Sequence, residues 1–339
     1  MNVFSKILII ALLVTFAGCR PVVNQTDGPA PAITIQDFRG KQVAISKPAE
    51  RIICLIESSL SGLYMLGAEN RVIGIPMNVY DESVYKQYAA LDERIRQKTL
   101  PAPGNWDFVN IESVVALQPD LVIVWSAQKE SIETIESHGI PVYAVFLQNT
   151  DDICKEMMDL GKLTDKEERA DSLISYTKEQ ISRISTLVNP GNHGNSPTVY
   201  FSWSSGFLET SGSTSTVNEV IEFAGGKNVC FEPREHMVVN IENILEWNPD
   251  FIILWYNPSG TPADILKLSE LKQVNAIKNK AVYQIPSVFM CDLWTLKYQY
   301  AVKIIAKWIH PGIKELDLET EQRNMLLRLY GPKGKTLTE

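Results

Sequence analysis

Five aromatic residues stand in stretches that read as loops: Trp106, Trp203, Tyr256, Phe289 and Trp294. Indole, phenol and phenyl faces stack on flat or catechol-like partners, so these positions are candidates for ligand contact as well as for packing. Trp106 leads them, because polar Asn105 and Asp107 flank it in the loop-like stretch 101–106. Trp125 and Trp255 end two strand-like runs, where packing is as good a use as binding. Arg234 and His236 are the basic residues of the second-half loops, and a cation there pairs with a carboxylate, a catecholate or an oxyanion. Ser58, Ser59, Ser204 and Ser205 stand near helix or loop starts, where they serve as caps or, with backbone N–H groups, cradle an anion. No cofactor is implied and no resident metal is expected. The four histidines, His138, His193, His236 and His310, are scattered, and His236 with Asp292 or Cys291 is short of the three or four ligands a stable site needs. The GxSxG, HExxH, P-loop and GxGxxG patterns are absent, which argues against an enzyme.

Ligands of parallel α/β sheets collect beyond the carboxyl ends of the strands, and the chain has that pattern. Residues 109–125, VNIESVVALQPDLVIVW, recur as 239–255, VNIENILEWNPDFIILW, with eight of 17 positions identical. In each copy Val-Asn-Ile-Glu opens a short helix with Asn110 or Asn240 as N-cap, and Pro-Asp ends it. A β-branched apolar run follows, as in a strand buried on both faces. Two such copies indicate two lobes of similar design. Strands are expected at 33–38, 42–45, 51–56, 72–75, 142–146, 198–203 and 281–285, and helices near 59–66, 130–138, 216–223 and 266–273. Alternation of strand and helix predicts an α/β fold with mostly parallel sheets. The loops so nominated are 57–59, 76–80, 104–108 and 125–128 in the first lobe and 203–207, 235–237, 256–258 and 287–294 in the second. Between the lobes, helical spacing of Leu173, Ile174, Tyr176, Ile181, Ile184 and Leu187 predicts one long helix over 165–188, about 35 Å at 1.5 Å per residue. Residues 297–309 and 319–329 are expected as amphipathic helices.

At 339 residues and 45% hydrophobic content, the chain suits roughly two domains. Its net charge of -8 and lack of a basic block exclude nucleic acid as an expected partner. Lys6 and the apolar run Ile7–Phe16 fit a secretory leader, too short to span a bilayer. Phe16-Ala17-Gly18-Cys19 resembles a bacterial lipobox, which implies a lipidated Cys19 as the mature N-terminus; ordinary cleavage is the alternative. The expected division is a leader over 1–18, lipidated Cys19 and tether over 19–32, a first lobe over 33–150, the inter-lobe helix over 151–190, a second lobe over 191–330 and a tail over 331–339. The protein is expected as a monomer outside the cytoplasm, attached to the membrane through lipid alone. Cys54, Cys154, Cys230 and Cys291 match no metal spacing, and no disulfide pairing can be chosen among them.

Ordered pieces of the chain resemble the substrate-binding lipoproteins of ABC importers for ferric siderophores, haem and cobalamin. They are Arg51–Leu55 with Leu63–Gly67 and Arg71–Ile75, both Asn-Ile-Glu…Pro-Asp copies, Leu160–Thr164, and Ile221-Glu222-Phe223-Ala224-Gly225-Gly226-Lys227-Asn228. The resemblance implies two Rossmann-like lobes bridged by a rigid helix. It further implies an iron chelate or corrinoid bound in the cleft between them, and delivery to an ABC permease. Molybdate or tungstate is the alternative cargo, and a ligand sensor the alternative role. The family docks on its permease through one surface acid per lobe. Glu222 matches the second-lobe position, whereas Ser61 stands at the first, with Glu57 or Glu69 as substitutes. Trp106, Trp203, Arg234, His236, Tyr256 and Trp294 are the expected ligand contacts.

Overall fold

The computed structural model describes residues 33–188, 196–256 and 260–337. A hairpin of β1 (Ile33–Gln36) and β2 (Gln42–Ile45) opens the described chain, turning at Gly40, whose φ of +78° suits glycine. The first lobe comprises β3 (Ile52–Cys54), α1 (Glu57–Met65), β4 (Val72–Gly74), α2 (Glu82–Leu91), α3 (Glu93–Arg96), α4 (Ile111–Ala116), β5 (Leu121–Trp125), α5 (Lys129–Ser137) and β6 (Val142–Val145). Helices α6 (Thr150–Leu163) and α7 (Glu167–Val188) then cross to the second lobe. That lobe has β7 (Thr198–Ser202), β8 (Glu209–Thr210), α8 (Thr216–Phe223), β9 (Lys227–Asn228), β10 (Met237–Val238), α9 (Ile241–Trp247), β11 (Phe251–Leu254), α10 (Pro262–Ile265), α11 (Asn275–Lys278) and β12 (Val282–Gln284). Helices α12 (Tyr298–Ile309) and α13 (Leu318–Tyr330) close the chain.

Both central sheets are four-stranded and parallel. Their orders, β4-β3-β5-β6 and β9-β7-β11-β12, correspond strand for strand. The repeated segment supplies the same parts to each. The Asn110 carboxamide oxygen accepts from the Ser113 N–H at 3.0 Å, and that of Asn240 from the Asn243 N–H at 2.8 Å, so both asparagines cap as expected. The Pro-Asp aspartates pin the neighbouring strand. Asp120 accepts the N–H groups of Glu50 and Arg51 at 2.8 and 2.9 Å, just before β3. Asp250 accepts the N–H and hydroxyl of Thr198 at 3.0 and 2.8 Å, at the start of β7. Strands β5 and β6 are buried almost throughout, which their β-branched runs predict.

One core runs through both lobes along α1, α6, α7 and α12, and smaller cores cover the outer face of each sheet. Helix α7 has 22 residues, about 33 Å, and its apolar face, with Leu173, Ile184 and Val188, lies in the shared core.

The structure departs from the sequence pattern at four places. The helix expected over 266–273 is instead two short helices, α10 and α11, separated by a 3-10 turn at Ser269–Leu271. Thr261 and Asp264 cap the first reciprocally, and it ends within a turn. Helices α2 and α3 were not anticipated. Residues Gly331–Leu337, expected as a tail, form a 3-10 segment in which Lys333 pairs with Glu69 at 2.6 Å. Finally α13, within the stretch expected as second lobe, packs back on the first. The Ser61 and Tyr330 hydroxyls bond at 2.7 Å, and Arg169 of α7 donates to the Arg328 and Leu329 carbonyls. All four described cysteines are free thiols, with Cys54 buried in β3.

Candidate functional site

The carboxyl ends of the two sheets are brought together by the start of α6, which follows β6, and the start of α8. The Thr150 N–H donates to the Glu219 carboxylate at 2.7 Å, and the Thr216 hydroxyl to the Gln148 carbonyl at 3.3 Å. These bonds hold the loop after β6 against the start of α8.

On the first lobe the wall is built on a tight turn. The Asn105 N–H donates to the Phe108 carbonyl at 2.7 Å, and the Asn105 side chain accepts the Asp107 and Phe108 N–H groups. A Cβ on Gly104 would lie 2.3 Å from the Phe108 carbonyl oxygen, so the turn requires glycine. With its backbone satisfied internally, the turn presents Trp106 and Phe108 to solvent, 60% and 54% exposed, and Met77 beside it is 46% exposed. The Met77 N–H holds that neighbour in place by donating to the Gly104 carbonyl at 2.8 Å.

The second-lobe wall is an aromatic cluster. Trp203 and Trp294 stack with centroids 5.7 Å apart and 13° between planes. Trp203 also meets His236 at 5.0 Å and Trp255 at 5.5 Å, and its indole N–H donates to the Ser211 hydroxyl at 2.8 Å. A second tight loop supports it. The Gly212 N–H donates to the Arg234 carbonyl, and a Cβ on Gly212 would meet the Glu232 carbonyl at 2.0 Å. Arg234 and His236 are exposed on this loop, and Phe231 and Val238 flank it as exposed apolar residues. Tyr256 is half-buried just past β11.

Of the six residues expected to contact ligand, Trp106 is on the first-lobe turn, Trp203, Trp294 and His236 are in the second-lobe cluster, Arg234 is exposed on its supporting loop, and Tyr256 stands just past β11. Phe289 does not join them. It is buried, 5.4 Å edge-on to Tyr88 and 6.1 Å from Tyr330, and belongs to the lobe junction. Trp255 is buried within the cluster and Trp125 packs on Phe146. Of the serines, Ser59 is buried and donates to Glu156 at 2.5 Å, a structural use. Cys19 and His193 lie outside the described residues, as does residue 257 beyond Tyr256. Phe108, Met77 and Glu235 lie in the nominated loops 104–108, 76–80 and 235–237 but are not among the individual contacts expected from sequence. Phe108 was within reach, since it closes the same Gly104–Phe108 turn as Trp106.

The docking acids divide. Glu222 is exposed near the end of α8. Glu57 is a correction: its carboxyl turns inward and accepts from the Tyr88 hydroxyl at 2.5 Å. Burial and then Asp292 push its pKa up. Glu69 is tied to Lys333. Beside Glu57 lies Lys297, fully buried, with its ammonium 3.7 Å from both Asp292 Oδ2 and the Phe289 ring centre. Burial opposes that charge, but Tyr330, Asp292 and Glu57 outweigh it and push the lysine up. This buried group fastens the 287–297 segment of the second lobe to α1 and α2 of the first, which is why that segment cannot line an open cleft along its whole length.

Comparisons with known proteins agree with this architecture. An uncharacterized ABC transporter substrate-binding lipoprotein of Bacillus subtilis, YvrC, is 25% identical over 298 residues, covering 84% of this chain and 89% of its own. The molybdate-binding protein MolA of Haemophilus influenzae is 26% identical over 323 residues, 87% of this chain and 90% of its own. Its molybdate-bound structure superposes with a TM-score of 0.74 over 88% of this chain and 98% of MolA. A cobalamin-binding protein of Halobacterium salinarum is 23% identical over 297 residues, 83% and 76% of the two chains. With the family pattern matched across residues 52–289, the two-lobed chain belongs to the periplasmic binding proteins.

Proposed function

We propose that this protein is an extracytoplasmic receptor, anchored by lipid on Cys19, that binds an iron chelate or a corrinoid between its lobes and delivers it to an ABC importer. The observation that carries the reading is the pair of aromatic walls: Trp106 and Phe108 exposed on one lobe, Trp203 and Trp294 stacked on the other. Exposed apolar patches on a folded monomer mark binding surfaces, and wide flat ligands make use of ring faces on two sides. Cobalamin is the named ligand of one relative, which supports a corrinoid. Glu222 supplies the second-lobe docking charge in this reading, and the carrier acts as a monomer.

Molybdate is the second reading, favoured by the likeness to MolA. A small oxyanion is less well served here, because Glu235 lines the recess beside Trp203 and the basic residues on that wall, Arg234 and His236, are exposed rather than enclosed. Tryptophan fluorescence of the mature protein, titrated with cyanocobalamin, haem, ferric siderophores and molybdate, tests the two. Saturable quenching by a chelate or corrinoid at micromolar concentration supports the first reading. A response to molybdate alone replaces it with the second.

A further inference from the structure

A small recess opens beside the stacked indoles of Trp203 and Trp294, walled by Ser211, Ser215, Thr216 and Glu235. It has room for a group of about one water molecule's size. We infer that this recess reads a nitrogen-bound hydrogen-bond donor on the ligand, an ammonium or a primary amide, through the Glu235 carboxyl, making Glu235 a specificity-determining residue. The inference deepens the receptor reading and rests on it for the identity of the cargo.

The argument is a census of donors and acceptors. The Ser215 hydroxyl donates to the Gly212 carbonyl at 2.7 Å and accepts from the Asn218 N–H at 3.1 Å. The Thr216 hydroxyl donates to Gln148, and the Ser211 oxygen accepts from the Trp203 indole. Among the described residues no hydrogen bond or ion pair holds the Glu235 carboxyl, although it is half-buried. What remains unspent is the Glu235 carboxyl, beside the edges of an indole pair whose facing sides stack on each other. No lysine or arginine lines the recess. Burial pushes the Glu235 pKa up, against the pull of neighbouring His236. Thr216 and Val217, at the start of α8, also line the recess. A primary amide presents its NH2 to Glu235, and an ammonium presents an N–H that also carries charge.

Three probes of nearly equal size separate these chemistries: phenethylammonium, phenylacetamide and phenylacetate. The full chain in detergent micelles, labelled with 15N at its indoles, reports binding through the Trp203 and Trp294 N–H resonances. The ammonium or the amide is expected to bind at least about fivefold more tightly than phenylacetate, and the stronger of the two names the group. Glu235→Ala removes that preference, while Glu235→Gln keeps amide binding and loses the ammonium. Phenylacetate binding best, an order unchanged by Glu235→Ala, or no response to any probe at tens of millimolar would each overturn the inference. Failure of every chelate and corrinoid to bind while a nitrogen probe still does refutes the cargo and leaves Glu235 its role. Chelate binding that ignores Glu235→Ala does the reverse.

Discussion

Ser61 on the first helix of the first lobe and Tyr330 on the last helix of the chain share a 2.7 Å hydrogen bond between two buried hydroxyls. Ser61, which the resemblance places where a docking acid is expected, is thereby sealed beneath the C-terminal helix. Tyr330→Phe strands the Ser61 hydroxyl and should cost about 1–2 kcal/mol. Urea unfolding of the variant checks this, and a midpoint equal to wild type would show that the contact is idle.

Glu156 on α6 is buried against Ser59 and near Asp292 and Asp159 of the junction. Burial pushes its pKa to about 8, and the two aspartates add to the shift against the opposing Ser59 bond. An acid whose folded pKa is raised contributes stability that is complete below its unfolded value and is lost as pH rises through the folded one. Stability should therefore fall between about pH 4.5 and pH 8, at up to roughly 1.4 kcal/mol per unit. Glu57 and Asp292, raised mainly by burial, tilt the same way. Glu156→Gln should flatten the slope in melting experiments across that window. A slope unaltered by the substitution would assign it to the other two acids.

Trp106 and Trp255 should separate binding from packing. Trp106 is exposed, so Trp106→Ala should leave the melting temperature within error and weaken ligand binding about tenfold. Trp255 is buried against Trp203 and Phe201, so Trp255→Ala should cost about 3–5 kcal/mol of stability. Calorimetric binding alongside thermal melts tells the two apart. Equal losses of stability would deny Trp106 its place on the wall.

Asp120 and Asp250 make equivalent bonds in the two lobes, each to groups at the start of a neighbouring strand. Asp120→Ala and Asp250→Ala should each destabilise by about 1–2 kcal/mol, with costs that add because the sites lie in different lobes. Double-mutant unfolding reads the additivity, and a cost confined to one lobe would break the equivalence.

The two-lobed plan was legible because its signals are local: apolar β-branched runs, asparagine caps and a repeated Pro-Asp. The second of those residues also foreshadowed a tertiary role, since both copies keep an acid where a strand begins. Helices α2 and α3 were less legible because no glycine, proline or strong apolar period marks their edges from surrounding polar sequence. The path of α13 was hidden for a different reason: amphipathicity states that a helix has a buried face, not which lobe receives it. Glu57 shows the same limit for single residues. Its place at the start of a helix reads as exposed, and only the fold reveals that Tyr88 and Asp292 enclose its carboxyl. Trp106 and the Trp203 cluster stand on loops that the carboxyl-end rule nominates, whereas Phe289 is buried because the 287–294 loop is drawn under the first lobe by Lys297 and its neighbours.

The long α7 also acts as a fixed caliper. A linker of two loose crossovers would let the lobes swing, whereas a packed helix about 33 Å long, seated in the core both lobes share, restricts the jaws of the proposed receptor. A molecule too thin to reach both walls engages one and forgoes the gain of simultaneous contact. Selectivity by thickness then follows from the scaffold itself, and changes in the loops retune which chemical groups are recognised without altering the gauge.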